Sequence, residues 1–146
     1  LSREGIEAAE ELLLMYITMR ALQNRRISFE LIRVIFEMRL MLTEGEGLEL
    51  FRCLRCGKEE VHSVYLSEGG LICRECAAKD KKLSKEYPIV LSADAKYTLQ
   101  YILTSTPEKL YAFTVTDSVL NELKRFMKSY LARYLPHKFK TLDFIV

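Results

Sequence analysis

Cysteine is the residue type whose spacing in this chain specifies the most definite chemistry. Residues 53–76 read CLRCGKEEVHSVYLSEGGLICREC, so the four cysteines form Cys53-x2-Cys56-x16-Cys73-x2-Cys76, and the chain has no others. Two Cys-x-x-Cys pairs at this separation read as a zinc site. The reason is coordination geometry: zinc takes four ligands in a tetrahedron, and a two-residue gap lets one tight turn aim two sulfurs at one ion. Gly57, directly after the first pair, suits the left-handed backbone such a turn needs. Between the pairs, EEVHSVYLS alternates weakly and Gly69-Gly70 marks a turn, which predicts a β-hairpin carrying the second pair.

Other uses of four thiols fit less well. Disulfides suit a secreted chain, and no secretory signal is visible. A thioredoxin-type redox centre needs one Cys-x-x-Cys in a βαβ setting rather than two matched pairs. A catalytic zinc keeps an open position on three protein ligands, whereas four thiolates close the shell. His62 is an alternative ligand, but an exposed hairpin histidine is its simpler reading. The expectation is therefore a structural zinc held by Cys53, Cys56, Cys73 and Cys76. No catalytic constellation accompanies it: the two histidines, His62 and His137, sit in separate contexts, and Gly-rich phosphate loops are absent. An enzyme is not expected.

The elements around the cysteines read as helices. Residues 3–22, REGIEAAEELLLMYITMRAL, are rich in strong helix formers. Ser28 is a fair N-cap for a second helix over about Phe29 to Leu42, whose apolar residues surround most of its circumference and predict deep burial. Gly45 and Gly47 break that pattern. After the cysteines, KDKKLSKEYP is a charged connection. Ser92 can cap a helix over about Ala93 to Leu103, and Thr116 or Asp117 one from about Ser118 to Leu135, stopped by Pro136. Tyr16, Tyr97, Tyr101, Tyr130 and Tyr134 lie at helical spacings, for which core packing is the default reading. The predicted architecture is mainly α, a helical bundle-like domain with an inserted four-cysteine zinc ribbon. Its parts are a helical segment at 1–48, the ribbon at 49–82, and a helical segment at 83–146 packing against the first. A chain of 146 residues can build such a core without staples.

Charge is uneven along the chain. The formal total is +2, yet residues 121–140, NELKRFMKSYLARYLPHKFK, carry +5, leaving −3 on the rest. Leu123, Phe126, Met127, Tyr130, Leu131 and Tyr134 share one helix face, and Lys124, Arg125, Lys128 and Arg133 occupy the remainder. A solvated basic face is the plain reading. A face of one sign on an otherwise acidic chain also suits phosphates or an acidic partner tail. No apolar run reaches the roughly 18 residues needed to cross a membrane, and the acidic residues before ELLLMYITM do not suit a signal peptide. The sequence begins at Leu1 rather than Met, as expected of part of a longer product.

Taken in order, these features resemble the bacterial recombination mediator family RecO, in its helical and zinc-binding portion. FEMRLM (36–41) is similar to that family's FELRLL helix, followed by Gly45 and by Leu50 shortly before Cys53. CLRCGK, EGGLIC and LSADAKYTLQYIL follow the family's succession, and NELKRFMKSYLARYLPHKFKTLDFI looks like its closing helix, with Lys140-Thr141 in place of Lys-Ser. Departures exist: Ile35 stands where an Arg often precedes the Phe-Glu pair, Gly45-Glu46-Gly47-Leu48 replaces Gly-Tyr-x-Pro, and Pro136-His137 replaces a Gly-Arg-like turn.

The resemblance implies an OB-fold, a five-stranded barrel suited to oligonucleotides, ahead of the portion seen here. No such β-rich segment is present, so the sequence reads as the remainder of such a protein. It further implies a cytoplasmic, nucleoid-associated role in recombinational DNA repair. Members bind single- and double-stranded DNA, anneal strands, pair with RecR, dock the acidic tail of the single-strand-binding protein and help load RecA. Lys124, Arg125, Lys128, Arg133, Lys138 and Lys140 are the candidate contacts for DNA or that tail, with Arg33 and Arg39 as second choices. A zinc-ribbon module of a transcription- or ribosome-associated factor is the alternative. It predicts a basic ribbon, yet 53–76 sets Arg55, Lys58 and Arg74 against Glu59, Glu60, Glu68 and Glu75.

Overall fold

A computed structural model describes residues 3–24 and 26–134. Helix α1 (Arg3–Gln23) leads through a short turn to α2 (Phe29–Thr43). Ser28 caps α2 as expected, its Oγ accepting the Leu31 N–H at 3.2 Å. The far end closes on Gly45 at φ +82°. There the Gly45 and Glu46 N–H groups return to the Leu42 and Met41 carbonyls at 3.1 and 2.9 Å, the paired bonds that a left-handed residue past a helix end allows.

Three short strands form one antiparallel sheet in the order β2-β1-β3: β1 (Ser63–Tyr65), β2 (Gly70–Leu71) and β3 (Ile89–Val90). Val64 pairs with Leu71 on one side and with Ile89 on the other. The hairpin between the cysteine pairs is thus present, turning through a 3-10 segment (Leu66–Glu68) that ends on Gly69 at φ +83°. Its third strand comes from beyond residue 82, so the sheet reaches into the segment read as helical. The short helix α3 (Arg74–Ala78) follows β2.

Helix α4 (Ala93–Thr104) is capped by Ser92, whose Oγ accepts the Ala95 N–H at 3.1 Å. Helix α5 (Asp117–Tyr134) starts from Thr116, whose Oγ1 accepts the Val119 N–H at 3.3 Å. The expected terminal residue Leu135 and the stop at Pro136 lie outside the described residues. Glu122 of α5 holds the α4 cap, taking the Ser92 N–H and Oγ–H at 2.8 Å each. Helix α2 is the hub: α1 covers one side, and α4 and α5 pack against it and against each other. The buried residues make one continuous cluster, in which Ile35, Met38, Leu99 and Phe126 of the helices join Leu50, Leu71 and Ile72 near the cysteines.

Two expectations about faces change. Tyr130 is fully buried and Tyr101 and Tyr134 are half-buried, but Tyr16 and Tyr97 are 57% and 69% exposed. Helical spacing shows which residues share a face, not which face meets the core. Helix α1 buries Leu14 and Ala21 while Leu12, Met15, Tyr16 and Met19 stand exposed. No helix among the described residues is long and apolar enough to cross a membrane.

Candidate metal centre and basic helix

The first cysteine pair sits on a tight turn. The Gly57 N–H returns to the Cys53 carbonyl at 3.0 Å, the Cys53 N–H donates to the Lys58 carbonyl at 2.8 Å, and Gly57 adopts φ +80°. The Arg55 N–H is thereby aimed at the Cys53 sulfur at 3.5 Å. The second pair uses a helix start instead. Cys73 is the N-cap of α3, its Sγ accepting the Cys76 N–H at 3.5 Å, so Cys76 lies in the first turn beside it. The Leu54 N–H donates to the Leu71 carbonyl at 2.8 Å, and the Cys73 N–H reaches the Cys53 sulfur at 3.3 Å. These bonds bring the two turns face to face.

All four sulfurs lie within 4.8 Å of one another, and Cys56 Sγ is 3.6 Å from Cys73 Sγ. A tetrahedron with Zn–S near 2.3 Å has sulfurs about 3.8 Å apart, so these donors can hold one ion. The thiols are free rather than paired as disulfides. Burial works against ionising Cys53, yet the N–H groups of Cys56, Cys73 and Arg55 outweigh it and draw the thiol down to about 6. Cys76 is pushed up to about 12, by its hydrogen bond with Cys73 and then by burial. The Lys58 N–H favours the Cys56 thiolate, but bonds with the Cys73 and Cys53 sulfurs and burial prevail and raise it. One thiolate forms readily and its neighbours resist; a cation among them removes that conflict. His62 is exposed and outside the cluster.

Residues that the sequence did not single out brace this centre. Arg55 bridges Asp80 at 2.8 Å and Glu68 at 3.5 Å, closing the turn after β1 and the loop after α3 around the sulfurs. From α4, Lys96 Nζ donates to the Glu59 carbonyl at 2.8 Å, and Gln100 Nε2 to the Leu50 carbonyl at 2.8 Å. Polar side chains four apart on α4 are a helix-face signal, but their targets are main-chain carbonyls that no sequence pattern marks.

The expected apolar face of α5 buries Leu123, Phe126, Met127 and Tyr130, with Leu131 and Tyr134 half-buried. Tyr130 Oη donates to the Glu46 carbonyl in the loop after α2 and Tyr134 Oη to the Leu66 carbonyl in the hairpin turn, fastening the end of α5 to both. Lys124, Arg125, Lys128 and Arg133 are exposed but do not form one patch. Lys124 lies towards α2, pairing with Glu30 at 3.1 Å, and Lys128 follows one turn later on that flank. Arg125 and Arg133 border the opposite flank, beside residues 85–92. Arg33 is joined to Glu37 at 3.0 Å. Arg39 donates to the Ile102 and Ser105 carbonyls at 3.2 and 2.7 Å, closing the end of α4. Lys138 and Lys140 lie outside the described residues.

No solved structure matches the chain. Among curated proteins, a DNA repair protein RecO from Acetivibrio thermocellus is 34% identical over 122 residues, covering 82% of this chain and 46% of the relative. RecO proteins of Desulforamulus reducens and Clostridium kluyveri are 29% and 27% identical, over 75% and 85% of this chain and 42% and 46% of theirs. The chain thus spans about half the length of the curated relatives it matches. The family model described as Recombination protein O C terminal matches residues 2–143. With nearly every residue inside that match, the chain belongs to the RecO C-terminal family.

Proposed function

We propose that this chain is the helical and metal-binding part of a DNA repair and recombination mediator, a binding and scaffolding protein rather than an enzyme. Membership in the RecO C-terminal family carries this reading, supported by relatives named for DNA repair. In this role, acting in the bacterial cytoplasm at the nucleoid, the protein binds single- and double-stranded DNA and anneals strands. It pairs with RecR, docks the acidic tail of the single-strand-binding protein and helps load RecA.

The metal is zinc, and its role is structural. Four thiolates fill a tetrahedral shell and leave no position for substrate or water. The chemistry of the bound ion is charge neutralisation and crosslinking of the two turns. Contacts with partners fall to cations on the outer flanks of α5. Arg125, Lys128 and Arg133 form no ion pair with another described residue, so their charge is available. An acidic partner gains both affinity and encounter rate from such cations.

The test is fluorescence anisotropy of a labelled peptide ending like the single-strand-binding protein tail, titrated with this chain at two salt concentrations. Binding in the micromolar range (about −8 kcal/mol) that weakens with salt is the expected result. No binding at low salt would remove tail docking from this portion of the protein.

A further inference from the structure

One flank of α5 faces the edge of the small sheet across an open groove. Its wider part, about 940 Å³, lies between the end of α5 at Arg133 and the segment carrying Lys85 and Tyr87. A narrower part of about 330 Å³ continues along β3 to Arg125. Both parts share Ile89 and Ser129. Arg125 and Arg133 stand eight residues apart on the helix, or about 12 Å. The groove is therefore long enough for a strand rather than a single anion.

Its chemistry is specific. Lys85, Arg125 and Arg133 are exposed and form no ion pair with another described residue. The two carboxylates that border the groove are occupied: Glu86 accepts the Ser67 hydroxyl at 2.7 Å, and Glu122 holds the Ser92 cap with both oxygens. Hydrogen bonds from neutral donors leave a carboxylate's formal charge in place, so the lining sets Lys85, Arg125 and Arg133 against Glu86 and Glu122, a formal excess of one positive charge. Tyr87 is 98% exposed, an aromatic ring on the groove wall that the fold itself does not use. Cations tracking a backbone beside a free aromatic face are what unpaired nucleic acid requires. A duplex buries its base faces and cannot stack on Tyr87. An acidic peptide needs the cations but gains little from an open wall and a fully solvated ring.

We propose that this groove is a single-strand nucleic-acid subsite, with Arg125, Arg133 and Lys85 on phosphates and Tyr87 stacking a base, an assignment that rests on the DNA-binding reading. The three best-defined contacts, Tyr87, Arg125 and Arg133, are exposed and make no hydrogen bond with another described residue that holds the fold, so their variants should keep the native structure.

The experiment measures binding of a labelled oligothymidine, of a duplex of equal length and of a labelled acidic peptide to the chain and to Tyr87→Ala, Tyr87→Phe, Arg125→Ala and Arg133→Ala. Circular dichroism of each variant checks its folding. Tyr87→Ala should weaken single-strand binding by roughly 5- to 150-fold, Tyr87→Phe should retain it, and the duplex should be indifferent to both. Each arginine variant should lower the salt slope by about 0.7. Photocrosslinking of an iodouracil-substituted strand should label Tyr87. Three results would overturn the assignment. Wild-type binding with every variant unchanged would leave the DNA-binding reading standing and place its site elsewhere. Loss of acidic-peptide binding alone in the arginine variants would make the groove a peptide site. No binding of either nucleic acid by the wild-type chain would remove the subsite and the DNA-binding reading together.

Discussion

Glu37 is a buried carboxylate whose energetics depend on a single neighbour. It is 8% exposed; Oε1 accepts the Arg33 Nε–H at 3.0 Å, and Oε2 has no partner among the described residues. Burial raises its pKa, against the charge and hydrogen bond of Arg33, and burial prevails. A carboxyl whose folded pKa is raised keeps its proton to higher pH than in the unfolded chain. Its contribution to stability is complete below the unfolded value and is lost as pH rises through the folded one. Glu37→Gln imitates the protonated acid, keeping an oxygen for Arg33 and removing the ionised form. The variant should therefore be more stable than the parent at pH 8, with the gain shrinking as pH falls into the carboxylate range. Urea midpoints at pH 8 and pH 5 measure this; a variant less stable at pH 8 would mean that the ionised pair with Arg33 outweighs its desolvation.

At the scale of elements, two glycines near the cysteines act for different reasons. Gly57 needs its left-handed φ, and a Cβ there would meet nothing within 4 Å. Gly70 is ordinary in φ, but a Cβ would lie 2.5 Å from the Glu49 carbonyl oxygen and 3.1 Å from its nitrogen. That backbone cannot move freely, because Glu49 N–H donates to Gly69 and Glu49 C=O accepts from Leu71, both at 3.0 Å. Gly57→Ala should cost roughly 1–2 kcal/mol of backbone strain. Gly70→Ala should cost more and lower metal affinity, since it parts the strand that carries Cys73 from the chain entering Cys53. Thermal unfolding and metal competition on both variants test the order, and equal stability of Gly70→Ala and the parent would refute it. Local signals of this kind were legible in the sequence: the Cys-x-x-Cys spacing, Gly57, the caps at Ser28, Ser92 and Thr116, and the apolar face of α5. What was not legible depends on which elements meet. The pairing of β3 with β1 joins residues 25 or so apart through two residues of each strand, too short for a periodic pattern. The outward turn of Tyr16 and Tyr97, and the division of the α5 cations between two flanks, follow from where α2 and the sheet lie.

At the scale of the whole molecule, the question is whether a metal held by the four cysteines, as proposed, would support one module or the entire fold. The described residues share one continuous apolar core, so loss of a bound ion would not expose a separate small core. Yet the bonds that depend on the cysteines are confined to the two turns and α3, whereas α2, α4 and α5 bury Ile35, Leu99 and Phe126 among themselves with their caps intact. Lys96 and Gln100 tether the module to α4 by only two side-chain bonds. Tyr134 and the pairing of β1 with β3 anchor the hairpin as well, but the turns that carry the cysteines are crosslinked chiefly through the sulfurs, and structural zinc in isolated fingers binds with about 10–16 kcal/mol of apparent free energy. Chelation should therefore abolish hydrogen-exchange protection in residues 49–82 while amides of α2 and α5 keep theirs. The sheet forms one wall of the groove, so chelation should also weaken single-strand binding without erasing the salt dependence that Arg125 and Arg133 impose. Loss of protection in α2 and α5 together with the module would mean a single cooperative unit, with the ion supporting every element. Protection unchanged after the metal is shown to be gone would assign the module's order to Leu50, Leu71 and Ile72 in the core, and leave the four thiols without a structural task.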